Sequence, residues 1–192
     1  MVTVYAGGFM SSIKIAFFDI DGTMIDMELK KMTPLMLETL RRLKEHHIHI
    51  CIATGRSPMA LPHFDVEFDT FLTFNGSYCY NEQETIFSNP IPAGDIQTII
   101  KIAAWWDRAA DIIPADGGKG MAAQKILDYY HLDRSESIAF GDANNDIDML
   151  KAVGTGVAMG NASEELKKVA DDVCGHVAED GIYHYCIEHQ LI

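Results

Sequence analysis

Residues 17–23 read FFDIDGT, an apolar run that passes directly into two aspartates and a Gly-Thr turn. Because side chains in a strand alternate between its faces, Asp19 and Asp21 lie on one side while Ile20 points away and leaves its carbonyl free. In open α/β sheets ligands bind beyond the carboxyl ends of the strands, where this turn falls. Two carboxylates in one cleft repel each other, and a divalent cation relieves that repulsion. The pattern therefore indicates a cation site, with Mg²⁺ the natural ion, although an Asp-Gly turn can also simply end a strand.

Outward from this turn, short apolar runs alternate with segments of helical period, which predicts an α/β fold with a mostly parallel sheet. The near-continuous apolar character of the runs implies strands that are buried on both faces. The predicted strands cover residues 13–18, 48–53, 70–74, 110–113, 137–141 and 155–159, and residues 75–92 form a β-hairpin.

Helix signals fill the intervals between the strands. Thr33 is a candidate N-cap and Pro34 the first helical residue of a helix with one apolar face, made of Met36, Leu40, Leu43 and His47. Apolar periodicity predicts three further helices, over residues 119–131, 144–153 and 162–170.

The other strand ends carry complementary chemistry. The strand at 48–53 runs into ATGR, where a phosphate oxygen can accept hydrogen bonds from the Thr54 hydroxyl and the Gly55 amide. Lys119, in GGKG, offers the same anion a charge-assisted hydrogen bond. The strand at 137–141 runs into GDANND, which adds Asp142, Asn145 and Asp146. These strand ends together predict one site that handles phosphate.

Composition excludes several classes of partner. The 192 residues hold 15 Lys and Arg against 28 Asp and Glu, a net charge of −13 that repels nucleic acid and anionic lipid. No apolar run approaches the roughly 18 residues that span a bilayer, so we expect no membrane partner. Four scattered cysteines without a CxxC motif fit a reducing cytoplasm. Residues 1–12 lack signal-peptide features, and we treat them as an N-terminal extension.

In their order along the chain, these motifs resemble those of the haloacid dehalogenase superfamily phosphatases, and among them the Cof-type phosphatases of subfamily IIB. DIDGT is similar to motif I, ATGR to motif II, the lysine of GGKG to motif III and GDANNDIDML to motif IV. The Asn75-Gly76 pair and the late stretch HVAEDGIYHY also look Cof-like. The resemblance covers about residues 13–187. It implies a Rossmann-like core over residues 13–192 and a small phosphorylated substrate such as a sugar phosphate.

The resemblance also implies a role for each motif residue. Asp19 is the expected nucleophile, forming an aspartyl phosphate, and Asp21 the expected general acid and base. Asp19, the backbone carbonyl of Asp21 and Asp142 are the expected Mg²⁺ ligands. The phosphoryl oxygens are expected to meet Thr54, Gly55, Lys119 and Asn145, while Asp146 orients Lys119 or a metal-bound water.

Two residues near the motifs refine this expectation. An ion-pump ATPase would have Thr where Asp21 stands and a phosphonate hydrolase would have Ala, so Asp21 favours a phosphomonoesterase. Arg56 either contacts the substrate or pairs with a nearby carboxylate.

The sequence departs from the family between motifs II and III. Cof-type enzymes carry a large cap there, whereas here only one helical segment, residues 93–108, follows the hairpin as a cap remnant. Its Trp105 and Trp106 either pack on the core, cover the cleft or meet a second subunit. Because a cap supplies selectivity and excludes water, we expect either promiscuity toward small phosphate esters or a homo-oligomer whose neighbouring protomer covers the open site.

Two other functions stay open on these residues. One is a non-catalytic phosphate-binding or regulatory module that lost turnover with its cap, which the retained Asp19, Asp21, Thr54, Lys119 and Asp142 argue against. The other is a phosphoacceptor switch of the response-regulator type. Such receivers place the accepting aspartate on a middle strand, whereas here DxD follows the first predicted strand.

Overall fold

Eight strands form a single sheet in the residues that the computed structural model describes, 13–96 and 112–192. Their order across the sheet is β5-β4-β3-β2-β1-β6-β7-β8, so the first strand in the chain lies in the middle. The strands are β1 (Ile15–Phe18), β2 (His49–Ala53), β3 (Thr70–Thr73), β4 (Tyr78–Tyr80), β5 (Thr85–Ser88), β6 (Ser137–Gly141), β7 (Thr155–Ala158) and β8 (Asp172–Val173).

The pairing brings the strand ends to a common level. Strands β3, β2, β1, β6, β7 and β8 pair in parallel, and the hairpin β4–β5 adds antiparallel strands at one side. Phe18, the last residue of β1, is in register with Ile52 on β2 and with Phe140 on β6. The loops that follow these three strands therefore start side by side.

Burial of the central strand explains why its sequence is apolar throughout. All four residues of β1 are fully buried. The ring of Phe18 stacks on that of Phe140 with 5.3 Å between centroids. A strand covered on both faces has no polar side to display, so apolar residues occupy every position.

Five α-helices lie entirely within the described residues: α1 (Pro34–Glu45), α2 (Lys119–Tyr130), α3 (Ile147–Ala152), α4 (Glu164–Lys167) and α5 (Gly181–Glu188). The Thr33 cap is confirmed, since its hydroxyl accepts a hydrogen bond from the Met36 amide. The prediction that His47 extends the buried face is wrong. Helix α1 ends at Glu45, and His47 follows in the left-handed conformation, φ 61°, with its side chain exposed.

The parallel sheet, the hairpin and the α/β class are as predicted, and the remaining differences are local. The segment 162–170 is helical only in α4, because the Ser163 hydroxyl caps the helix at Leu166 and leaves Ala162 in the preceding turn. The helix predicted from residue 144 begins as a 3-10 turn, Asn144–Asp146.

The stretch between the hairpin and α2 is described only at its two ends. Residues 93–96 are helical, while the rest of the predicted helix at 93–108 lies outside the described residues. In the predicted strand at 110–113, residues 112 and 113 are not in a strand and the other two lie outside the described part. The extension 1–12 also lies outside it.

Two further observations concern membrane-spanning helices and the cysteines. None of the helices in residues 13–96 and 112–192 is long and apolar enough to cross a bilayer. All four cysteines are buried free thiols.

Candidate active site

A buried lysine lies at the centre of the loops that follow β1 and β6. Lys119, the first residue of α2, is 0% exposed, and its ammonium lies 2.6 Å from Asp19 Oδ1 and 2.6 Å from Asp146 Oδ1. Asp19 immediately follows β1, and its amide donates to the carbonyl of Phe140 at the end of β6. The ammonium thus joins the loops of two central strands.

Charge explains how this lysine tolerates burial. Burial alone would lower the pKa of Lys119, but the negative charges of Asp19 and Asp146 raise it to about 12. Burial raises the pKa of Asp19; Lys119 lowers it, and the nearby carboxylates of Asp146 and Asp142 raise it further. Three carboxylates face one ammonium, so the cluster has a surplus of negative charge.

The carboxylates form a candidate site for a divalent cation. Oxygen atoms of Asp19, Asp142 and Asp146 lie within 4.8 Å of one another. Burial, and then the charge of Asp146, raise the pKa of Asp142 to about 6, against a hydrogen bond from Thr23 that lowers it. A hard divalent cation takes such oxygen ligands and relieves their repulsion. The donor set therefore fits a hard divalent cation.

Hydrogen bonds distinguish Asp146 from the other two carboxylates. Its Oδ2 accepts the amides of Asp142 and Ala143 at 3.1 and 3.2 Å, and its Oδ1 accepts from Lys119. With both oxygens engaged, Asp146 fixes the loop and the lysine, which leaves Asp19 and Asp142 as the side chains available to a metal.

The backbone of the turn after β1 differs in one respect from the prediction. The carbonyl of Ile20 is not free, because it accepts the amides of Thr23, Met24 and Ile25. No amide among the described residues donates to the carbonyl of Asp21. The carbonyl of Asp21, unlike that of Ile20, is thus available as a ligand.

Three residues that the sequence reasoning missed hold this turn in place, and two of them contact Asp142. The Thr23 hydroxyl donates to Asp142 Oδ1 at 3.2 Å. Gly22 has φ 84°, and a Cβ there would lie 2.2 Å from Asp142 Oδ2, so only glycine fits. Asn161 donates to the carbonyl of Gly22 at 2.8 Å and accepts the amide of Val177 at 3.0 Å. The GT after the second aspartate was the available signal for Thr23; Asn161 has no local signal, since its partners are remote in the chain.

Arg56 pairs with a carboxylate, the second of the two expectations for it. Its Nε and one terminal nitrogen donate to the two oxygens of Asp21 at 2.7 and 2.6 Å. Its other terminal nitrogen donates to the carbonyl of Ala60 at 3.0 Å. Both carboxylate oxygens of Asp21 are therefore engaged, and the pair is about one-third exposed, at 35% and 34%.

The remaining predicted phosphate ligands lie on the loops that follow β2 and β6. Thr54 is buried and its hydroxyl oxygen accepts the Arg56 amide at 3.2 Å, while the adjacent Gly55 is half-buried. Asn145 is exposed and donates to the side-chain oxygen of Asn75 at 3.0 Å. Asn75 follows β3 in a left-handed conformation, φ 52°, so this bond joins the loops after β3 and β6.

Comparisons with known proteins identify relatives among hydrolases and phosphatases. The family model of haloacid dehalogenase-like hydrolases matches residues 16–105 and 101–186. YkrA of Bacillus subtilis, which carries a phosphatase name, is 26% identical over 93% of this chain and 98% of its own length. That alignment runs over 254 residues, so YkrA contains segments that this 192-residue chain lacks.

Two further relatives are a phosphatase with a named substrate and a solved structure. The uracil-derivative phosphatase YitU of Bacillus subtilis, 5-amino-6-(5-phospho-D-ribitylamino)uracil phosphatase, is 40% identical over 45% of this chain and 32% of its own length. The solved structure of BT1666 from Bacteroides thetaiotaomicron, a phosphatase of the HAD superfamily, is similar to this chain with a TM-score of 0.85 at 26% identity. The match covers 99% of both chains. Since the family model spans most of the sequence and the fold is that of a solved member, this chain belongs to the haloacid dehalogenase-like hydrolases.

Proposed function

We propose that this HAD-type phosphatase is a Mg²⁺-dependent phosphomonoesterase that transfers the phosphoryl group of a small phosphorylated metabolite first to Asp19 and then to water. The observation that carries the proposal is the buried Lys119 ammonium, 2.6 Å from Asp19 and from Asp146, with the Asp142 carboxylate beside them. A cation and carboxylates at the end of a central strand suit the transfer of a phosphoryl group, in which positioning and charge neutralisation supply most of the catalysis.

The first half-reaction uses the free oxygen of Asp19. Lys119 holds Oδ1, which orients Oδ2 for attack on phosphorus. The new bond joins Oδ2 to phosphorus while the ester P–O bond breaks, and the departing oxygen takes a proton from the carboxyl group of Asp21. In the second half-reaction Asp21 removes a proton from water as the water oxygen attacks phosphorus. The bond to Asp19 then breaks, and inorganic phosphate leaves.

Arg56 has to release Asp21 before either proton transfer. In this structure the guanidinium donates to both oxygens of Asp21, so a leaving group that approaches Asp21 competes with arginine for each of them. A phosphate dianion that enters the site competes for the guanidinium, since arginine binds carboxylate and phosphate with the same forked geometry. Substrate binding would thereby free the general acid.

The metal would be held by the carboxylates of Asp19 and Asp142 and the carbonyl of Asp21, and when bound it neutralises negative charge on the transferring phosphoryl group. Thr54, Gly55, Lys119 and Asn145 would bind the phosphoryl oxygens. Asp146 keeps Lys119 in place through its hydrogen bond of 2.6 Å.

The proposal extends to the architecture of the chain. Residues 13–192 would form the phosphatase core, with the hairpin at 75–92 and a cap remnant at 93–108. The extra segments of YkrA support the view that most of a cap is missing. An open site would accept several small esters, sugar phosphates among them, or would be covered by a second copy of the chain in the cytoplasm. Light scattering of the purified protein combined with a panel of sugar and nucleotide phosphates distinguishes these cases.

Release of inorganic phosphate from p-nitrophenyl phosphate tests the reaction itself. We expect multiple turnovers with Mg²⁺, none with EDTA, and none for Asp19→Asn, while Asp65→Asn, at a side chain 71% exposed, keeps wild-type activity. Labelling that stops after one turnover would instead indicate a phosphoacceptor switch. Phosphate binding without any release would indicate a non-catalytic module. Either result would refute the phosphatase mechanism.

A further inference from the structure

A pocket of about 420 Å³ lies beside the turn that follows β3, separate from the metal and phosphate groups. Its walls are mainly apolar. Large apolar side chains in them are well exposed: Phe74 at 48%, Ile112 at 45% and Ile96 at 42%. Polar side chains, among them Ser77, complete the lining. A pocket of this size accommodates a small organic molecule.

Hydrogen bonds and close packing connect this pocket to the candidate active site. The amide of Phe74 donates to the carbonyl of Arg56 at 3.0 Å, and the guanidinium of Arg56 holds Asp21. The next residue, Asn75, accepts a hydrogen bond from Asn145. A Cβ at Gly76 would lie 2.6 Å from the carbonyl oxygen of Gly118, so the turn also packs against the start of α2. The pocket wall is thus continuous with the residues expected to bind the phosphoryl group and the departing oxygen.

The lining chemistry favours one kind of occupant. A sugar would bring several hydroxyls against walls that are mainly apolar, which is a poor match for its hydrogen-bonding groups. A ring with an apolar face fits these walls and can pack on the exposed ring of Phe74.

We propose that this pocket binds an aromatic portion of the substrate's leaving group, so that the preferred substrates are phosphate monoesters of alcohols that carry an aromatic ring. The proposal rests on the phosphatase function proposed above. It assigns substrate selectivity to the core itself, through Phe74, Ile96 and Ile112.

A comparison of two simple esters tests it. Benzyl phosphate and ethyl phosphate release alcohols of similar acidity, so the ratio of their kcat/KM values reports binding of the ring. We expect benzyl phosphate to be favoured by about tenfold or more, the effect of burying one ring. In Phe74→Ala and in Ile112→Ser the ratio should fall at least about fivefold. Ile187→Ser, at a similarly exposed isoleucine on α5 remote in the chain, should keep the wild-type ratio.

Binding of two non-hydrolysable analogues tests recognition by the pocket independently of hydrolysis. Calorimetry with benzylphosphonate and ethylphosphonate in Mg²⁺ buffer should show the same preference and the same loss in both pocket variants. If neither ester is hydrolysed but benzylphosphonate binds more tightly, the phosphatase mechanism fails and the pocket stands. If the esters are hydrolysed with a ratio near one, or Ile187→Ser lowers the ratio as much as Ile112→Ser, the pocket assignment is wrong.

Discussion

Replacing Lys119 with methionine removes a buried charge while it keeps most of the side-chain volume. The ammonium makes two charge-assisted hydrogen bonds of 2.6 Å, each worth about 1.5–3 kcal/mol. The variant leaves the buried Asp19 and Asp146 carboxylates facing each other without a cation. We expect the free energy of unfolding to fall by about 3–5 kcal/mol, the usual loss when one partner of a buried ion pair is removed. Phosphate release should fall by about 10²-fold or more, because a donor to the phosphoryl oxygens is lost.

Urea denaturation with EDTA present measures the stability part without interference from bound metal. Lys125→Met is the matched control, since Lys125 lies on the same helix with its side chain exposed, and its substitution should change stability by less than about 0.5 kcal/mol. Asp146→Asn combined with Lys119→Met completes a double-mutant cycle and should give a coupling energy above about 1 kcal/mol. A loss below about 1 kcal/mol for Lys119→Met would refute the argument that this ammonium holds the loops together.

Three further substitutions test other parts of the site and the sheet. Arg56→Lys keeps the charge but loses the two parallel hydrogen bonds to Asp21, so the rate of phosphate release should fall several-fold. The free energy of unfolding should shift by less than about 1 kcal/mol, as for other exposed ion pairs. Gly22→Ala should cost about 1–3 kcal/mol and weaken Mg²⁺ binding, measured by calorimetry, because its Cβ would displace Asp142. Burial alone would raise the pKa of Asp69, but the nearby His49, 3.7 Å away, the hydrogen bond from the Ile50 amide and the charge of Lys44 leave this pKa lowered. This carboxylate therefore stabilises the protein above its unfolded pKa of 3.8, and denaturation should show Asp69→Asn to be about 1 kcal/mol less stable at neutral pH, with the difference vanishing by about pH 2.

Controls make these outcomes decisive. Gly94→Ala, where a Cβ would meet nothing within 4 Å, should leave Mg²⁺ binding unchanged. Equal Mg²⁺ affinity for Gly22→Ala and wild type would show that Asp142 is not a ligand. A stability difference for Asp69→Asn that grows as the pH falls would contradict the lowered pKa of this carboxyl group.

The central part of the fold could be predicted from the sequence because its signals are local. Strand β1 is apolar throughout, β2 and β6 are apolar after their first residue, and each passes directly into polar residues at its carboxyl end. The parallel arrangement then places Asp19, Thr54 and Asp142 at the carboxyl ends of neighbouring strands, on the same edge of the sheet. Strand β8 escaped prediction because it has only two residues, both exposed, and so carries no apolar pattern.

The sequence could not predict which side chains of the site would form hydrogen bonds with each other. The contacts of Arg56 with Asp21, Thr23 with Asp142 and Asn161 with the Gly22 carbonyl join residues 35, 119 and 139 positions apart. Motif spacing identifies which residues approach the site, but which donor meets which acceptor depends on the course of the loops in space. The capping interaction at Ser163 that confines α4 is likewise decided by one hydroxyl.

The position of β1 in the middle of the sheet has a consequence for synthesis of the protein. On the ribosome, β1 can pair with β2 as soon as residue 53 has emerged, but its other side stays without a partner until residues 137–141 follow. During that interval the nascent chain presents an apolar strand with unpaired amides and carbonyls, a template for pairing with other chains. Translation that stops before β6 is complete should therefore yield fragments that aggregate and depend on chaperones.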